Sequence, residues 1–180
     1  MTVPILIDLP SNIKDELWAH LMPKGFLSEG AAFVFVSNCQ EADAYVFTFL
    51  DWFPVPSTGF SSRSSFHLEL KDEIRGLVIK KAHDLGVSII EFHSHSGRWP
   101  ASFSGSDLSG LEEFVPHVWW RLKGRPYGAV VVARSGFDGL IWLHSPGKPL
   151  RLDAIRVEGK SLKATNLSFL STERYEQRPI

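Results

Sequence analysis

Residues 87–107 read VSIIEFHSHSGRWPASFSGSD, and this stretch decides the fold class. Its first part, residues 87–95, is a short apolar run that predicts a buried strand. The period of two puts His93 and His95 on one face of that strand, with Glu91 on the same face. A loop with Gly97, Pro100 and Gly105 then breaks the strand and returns the chain to Asp107 at the start of a predicted helix over 107–122, with Ser106 as its N-cap. A helix N-terminus favours an ionised carboxylate. Two imidazoles and a carboxylate leave one tetrahedral position open, the donor set of a catalytic rather than a structural zinc site. A zinc ion in such a site brings the pKa of a coordinated water towards roughly 7.

Outward from this segment the chain alternates between helical and extended patterns. Residues 11–22 place Ile13, Leu17 and Leu21 at every fourth position behind Ser11, which predicts an amphipathic helix capped by that serine. Residues 30–37 (GAAFVFVS) form a continuous apolar run, expected as a strand covered on both faces, and residues 44–53 form its partner strand. Residues 54–65 are rich in Pro, Ser and Gly and predict a surface loop. A second helix is expected over 70–85, with Ile74, Leu77, Val78 and Lys81 inward and Gly86 closing it. Residues 127–133 and 139–144 predict a hairpin around 134–138, and residues 147–180 predict edge strands and a tail. The expectation is one α/β domain over residues 1–180, a central mixed sheet flanked by helices, with its motif-bearing core over about 11–143.

Composition narrows the function. The 180 residues carry 19 Lys and Arg against 20 Asp and Glu. A formal net charge of −1 lacks the basic excess typical of nucleic-acid binders. A single cysteine, Cys39, has no internal disulfide partner, which points to a reducing, cytoplasmic setting. The N-terminal apolar stretch lacks a basic flank and a cleavage site, and no apolar run approaches a membrane span.

The arrangement of these residues resembles the JAMM signature of the JAB/MPN metalloprotease family, in its bacterial branch. That signature is a glutamate on an early strand, then H-[ST]-H, a short loop and S-x-x-D. Here those elements are Glu29, then His93, Ser94 and His95, then Ser104 and Asp107. Two departures stand out: Ser96 occupies a position often held by proline, and the loop from His95 to Ser104 is one residue longer than usual. The resemblance implies a JAB/MPN fold, with cytidine-deaminase-like layering, holding Zn2+ on His93, His95 and Asp107. It further implies Glu29 as general base and Ser104 as a donor to the oxyanion. Glu91 remains open as a rival base, a substrate contact or, as preferred, a partner that orients an imidazole. The implied activity is an isopeptidase cleaving after the C-terminal glycine of a ubiquitin-like modifier. The modifier tail would lie as an added strand, with the 54–65 and 97–103 loops as contacts. E1- and E2-like proteins are implied partners and antiphage defence an implied setting. Three alternatives carry over: processing of a sulfur-carrier precursor, a RadC-like DNA-associated protein, and a metal-free scaffold.

Other residues carry less. His67 and His83 read as surface residues, His117 as packing, and His144 as a strand end without a partner motif. Cys39 has no basic neighbour to activate it and is expected as a buried thiol. Trp99, Trp119 and Trp120 are expected to fill core or line a groove. The motifs HExxH, G-x-S-x-G, the P-loop and the deaminase H-x-E…P-C-x-x-C are absent from the sequence.

Overall fold

The computed structural model describes residues 3–65 and 67–169. Its elements are β1 (Ile5–Asp8), α1 (Ser11–Leu21), β2 (Ala31–Gln40), β3 (Tyr45–Pro54), β4 (Phe60–Arg63), β5 (Leu68–Leu70), α2 (Asp72–Leu85), β6 (Ser88–Ser94), α3 (Gly105–Arg121), β7 (Tyr127–Ala133), β8 (Gly136–Trp142), β9 (Leu150–Arg151), β10 (Ala154–Val157) and β11 (Lys160–Lys163). The main sheet has nine strands in the order β11-β10-β1-β3-β2-β6-β7-β8-β9, and β4 and β5 form a separate pair. The α/β expectation holds: the sheet is mixed, with β1 parallel to both β3 and β10, and β6 parallel to β7. The β6–α3–β7 crossover is what a parallel pair requires, since a hairpin cannot join two strands running the same way.

Alternation along the central strands feeds two cores. Ala31, Phe33 and Phe35 of β2, Ile89 of β6 and Ala129 and Val131 of β7 pack with Val78 of α2 and Leu111, Val115 and Val118 of α3. Their sequence neighbours Ala32, Val34, Val36, Ile90, Phe92, Val130 and Val132 pack on the other face with Leu17 and Leu21 of α1. Strands covered on both faces read as unbroken apolar runs, which is why β2 and β7 were visible as such.

Several expectations are corrected. Ser11 is the first residue of α1 and makes no capping hydrogen bond; Pro10 precedes the helix, its fixed φ compatible with that position. The cap of α3 is Ser104, not Ser106. Pro116 lies inside α3 without ending it, on a face where both it and Glu112 are exposed, so water can satisfy the freed carbonyl. Leu77 turns outward from α2, because Ile74, Val78 and Ala82 take the inner stripe. The 54–65 segment is more ordered than a surface loop: Val55 and Phe60 are buried, and β4 pairs with β5. The β7–β8 turn is tighter than expected, with Ala133 opposite Gly136. Strand β1 was not expected at all. It sits between β3 and β10, so β10 is internal, and among the described residues β11 and β9 are the edges of the main sheet.

Cys39 is exposed rather than buried. It lies in the half of β2 beyond Val36, where pairing with β6 has ended at Ser88 and only β3 continues alongside. His117 is exposed because the helical period sends Val115 and Val118 inward and it outward. Trp99 and Trp120 are 83% and 73% exposed, while Trp119 is half-buried against the α3-side core. His67 and His83 are exposed, as read, and His144, read as a strand end, is exposed two residues beyond the end of β8. Among the described residues, no helix is long and apolar enough to cross a membrane.

Candidate metal centre

His93 stands on β6 opposite Ala31 of β2 on one side and Val131 of β7 on the other. His95 follows the end of β6, yet its amide still donates to the Val132 carbonyl at 2.8 Å, so the strand direction holds through both histidines. Between them, Ser94 faces the opposite way and is fully buried. Its hydroxyl donates to the Leu21 carbonyl at 2.7 Å and accepts from the Gly30 amide at 2.9 Å. Gly30 has no room for more: a Cβ there would lie 3.1 Å from the Leu21 oxygen and 3.3 Å from its Cα. This close approach fixes the turn that presents Glu29. No sequence pattern announced the role of Ser94 beyond its place in HSH.

Asp107 arrives from the first turn of α3. Ser104 and Asp107 form a capping box: the Asp107 amide donates to Ser104 Oγ at 3.1 Å, and the Ser104 amide donates to Asp107 Oδ2 at 2.7 Å. The Ser104 hydroxyl also donates to Oδ2, at 2.7 Å. The box both closes the helix end and aims the carboxylate.

Oδ2 of Asp107 lies 3.6 Å from His93 Nε2 and 3.2 Å from His95 Nε2. One ligand atom from each of the three residues lies within 4.8 Å of the others. Neighbouring ligands of a tetrahedral zinc with bonds of about 2.0–2.1 Å sit ~3.3 Å apart, so the spacing suits one small metal ion. The donor chemistry agrees. His93 Nε2 is buried and, among the described residues, makes no hydrogen bond; Asp107 Oδ2 stands off at 3.6 Å, and a buried polar atom left so costs free energy unless a further group engages it. Residues His93, His95 and Asp107 therefore fit a metal ion.

Electrostatics around the group is strongly polarised. Burial alone would raise the Asp107 carboxyl, but His93, His95 and Ser104 outweigh it and hold the group far below the usual carboxylate range. Burial pushes the His93 imidazole down, and the carboxylates of Asp107, Glu91 and Glu29 together more than reverse this, leaving it raised. Glu29 is almost fully buried, with its carboxylate 3.9 Å from His95 Nε2. Burial lifts its pKa above the ordinary value, against the pull of His95 and His93. The chain matches no known protein-family profile and no curated protein sequence. The resemblance to JAMM proteases thus rests on the sequence motif alone.

The predicted site residues are brought together selectively. Glu29, His93, His95, Ser104 and Asp107 converge, while Glu91 lies beside His93 with its carboxylate engaged by Tyr127. Glu91 accepts a short hydrogen bond from the Tyr127 hydroxyl, and burial raises its carboxyl despite that bond. It shares a small cavity of about 110 Å³ with His93, Asp107, Arg75 and Phe114. Tyr127 was not anticipated as its partner, because that pairing depends on β6 and β7 being adjacent. Segment 54–65 reaches the site at Glu29 and Ser96, and segment 97–103 reaches it where the Phe103 ring packs on His93 at 5.6 Å. The Glu29 amide donates to the Ser64 carbonyl at 2.9 Å, and Ser96 Oγ donates to the Ser65 carbonyl at 3.2 Å. Serine at position 96 thereby makes a tie that proline has no group to make.

Proposed function

We propose that this chain is a zinc metallopeptidase of the JAB/MPN type, an isopeptidase that cleaves after the C-terminal glycine of a ubiquitin-like modifier. The observation that carries this reading is the convergence of His93, His95 and Asp107 on one small volume, with a buried glutamate beside His95. A zinc ion held there would supply a Lewis acid for the scissile carbonyl and a nucleophilic water that ionises near pH ~7.

The chain's own residues supply the rest. Glu29, desolvated and with a raised pKa, is suited to take a proton at a carboxylate oxygen and return it to the leaving amine. Ser104 holds Asp107 in place; donating to an oxyanion would require its hydroxyl to leave Oδ2. Leu68 and Leu70 of β5 line the small cavity that His93 and Asp107 share, and a substrate tail would lie beside it in extended form. Glycine at the cleaved position has no side chain to obstruct the carbonyl. E1- and E2-like proteins of a conjugation system, and a defence role, belong to the same proposal.

The test has two arms. Elemental analysis of the purified chain should find one zinc per molecule, sharply reduced in Asp107→Ala. A panel of fusions carrying ubiquitin-like or sulfur-carrier tails should then be cleaved after the terminal glycine, and not when that glycine is replaced by a bulky residue. Cleavage that survives complete metal removal would sink the proposal, and cleavage confined to sulfur-carrier precursors would replace the modifier class.

A further inference from the structure

Beyond the ligands and the base, a second set of buried polar groups ties the far end of the described chain to the metal centre. Asp138 on β8 is fully buried. Its Oδ1 accepts from the amides of Gly139 at 2.9 Å and Asn166 at 3.1 Å, and its Oδ2 accepts from the amide of Ser168 at 2.8 Å. A buried carboxylate persists when donors surround it, and three backbone amides are such a set. Two of the three come from segment 164–169. That segment is further fastened by the Thr165 amide to the Phe137 carbonyl at 2.9 Å and the Ala164 amide to the Asp153 carbonyl at 3.1 Å. Asn166 sits at φ +57°, a left-handed conformation that asparagine tolerates better than most residues.

The other side of the same segment grips the 97–103 loop. Thr165 Oγ1 donates to the Ala101 carbonyl at 2.6 Å, and the Phe103 amide donates to Ser168 Oγ at 2.8 Å. Ser168 is 1% exposed and Phe103 7%. The Phe103 ring packs against the His93 imidazole with centroids 5.6 Å apart. The next residue, Ser104, delivers its amide and hydroxyl to Asp107 Oδ2. An unbroken series of contacts therefore runs from Asp138 through Ser168 and Phe103 to two of the three ligands.

We propose that segment 164–169 is a strap that sets the spacing between the histidines and Asp107, with Asp138 and Ser168 as positioning residues for metal binding. The inference rests on the reading of His93, His95 and Asp107 as ligands. His93 and His95 are fixed by the sheet and the body of α3 by its core packing, but the first turn of α3, which carries Asp107, continues directly from the loop, and the strap holds that loop at Ala101 and Phe103. The metal-binding motif gives no access to this, since Asp138 and Ser168 lie outside it and far from 93–107 in the chain.

The experiment compares the full-length wild type with Ser168→Ala and Asp138→Asn. Zinc affinity is read by competition with a chromophoric chelator, ligand geometry by the visible spectrum of the cobalt-substituted protein, and loop order by amide exchange across residues 99–107 without metal. Loss of a group that supports metal ligands typically weakens binding 10–100-fold. Ser168→Ala acts at one remove and should weaken zinc by about tenfold, alter the cobalt bands and speed exchange at Phe103 and Ser104. Ile155→Val, a buried change in the opposite core, should lower the melting temperature while leaving all three readouts alone. If Asp138→Asn does not fold, Ser168→Ala decides alone. Wild-type affinity, spectrum and exchange in Ser168→Ala would overturn the proposal. A wild-type chain that binds no metal would instead remove the ligand reading and with it the positioning role, while exchange would still report whether the strap orders the loop.

Discussion

Replacing Ser104 by alanine removes two interactions at once. The Asp107 amide loses its acceptor at 3.1 Å, and Asp107 Oδ2 loses a hydroxyl donor at 2.7 Å. An N-cap serine is worth about 1 kcal/mol relative to alanine. The second bond is to a charged group, but Oδ2 keeps the Ser104 amide at 2.7 Å and the side chain is 22% exposed, so water replaces part of the loss. Roughly 1 kcal/mol more is expected from it, about 2 kcal/mol in all. For a chain of this size each kcal/mol moves the melting temperature by about 2–4 °C, so calorimetry of the metal-free protein should record a fall of ~4–8 °C. Ser104→Gly gives a sharper comparison. Glycine at an N-cap costs only a few tenths of a kcal/mol, so it should restore the cap share and leave the carboxylate share lost, an intermediate value. An unchanged melting temperature in Ser104→Ala would refute the capping box. If turnover disappeared with stability intact, the hydroxyl would belong to the substrate rather than to Asp107.

Two further outcomes follow from the charges around the site. His93 is raised in the folded, metal-free protein, so the stability it contributes is complete below its unfolded value of about 6.5 and fades as pH rises through the folded value. The metal-free melting temperature should thus fall on the alkaline side of about pH 6.5, and the difference between wild type and His93→Gln should isolate that fall; a difference that grows with pH would contradict the His93–Asp107 coupling. Glu29→Gln should keep its metal and lose about 10²–10⁴-fold in turnover, while Glu91→Gln should lose much less, because its carboxylate is engaged by Tyr127. Steady-state rates that reverse this order would transfer the general-base role to Glu91.

What the sequence revealed and what it concealed divide along a physical line. Local patterns were legible. The two-residue period through His93 and His95, the apolar runs of β2 and β7, and Gly86 at the end of α2 with φ +71° all express constraints within a few residues. The ligand set was legible because its three members lie within fifteen consecutive positions. Features made by distant pairing were not. Strand β1 is only four residues long, and its strand character comes from lying between β3 and β10. Tyr127 meets Glu91 because β6 and β7 are neighbours, and Cys39 is exposed because β6 stops short of it. The misplaced cap has a different cause. Ser104 and Ser106 both satisfy the composition rule, and only the Asp107 side chain three residues on, reaching back to the Ser104 amide, separates them.

The three residues proposed to hold a metal ion are divided between elements of unequal stability. His93 stands on β6, enclosed by β2 and β7, and strands so placed open only at a cost near that of global unfolding. Asp107 stands on the first turn of α3, and helix ends fray cheaply and often. Release of a bound ion should therefore begin with Asp107 letting go while both imidazoles stay in place, giving a half-open state that a chelator or an incoming ion can enter. The lifetime of the bound ion would then be governed by how often one helical turn unwinds. A weakened cap would shorten that lifetime even where the equilibrium affinity changed little.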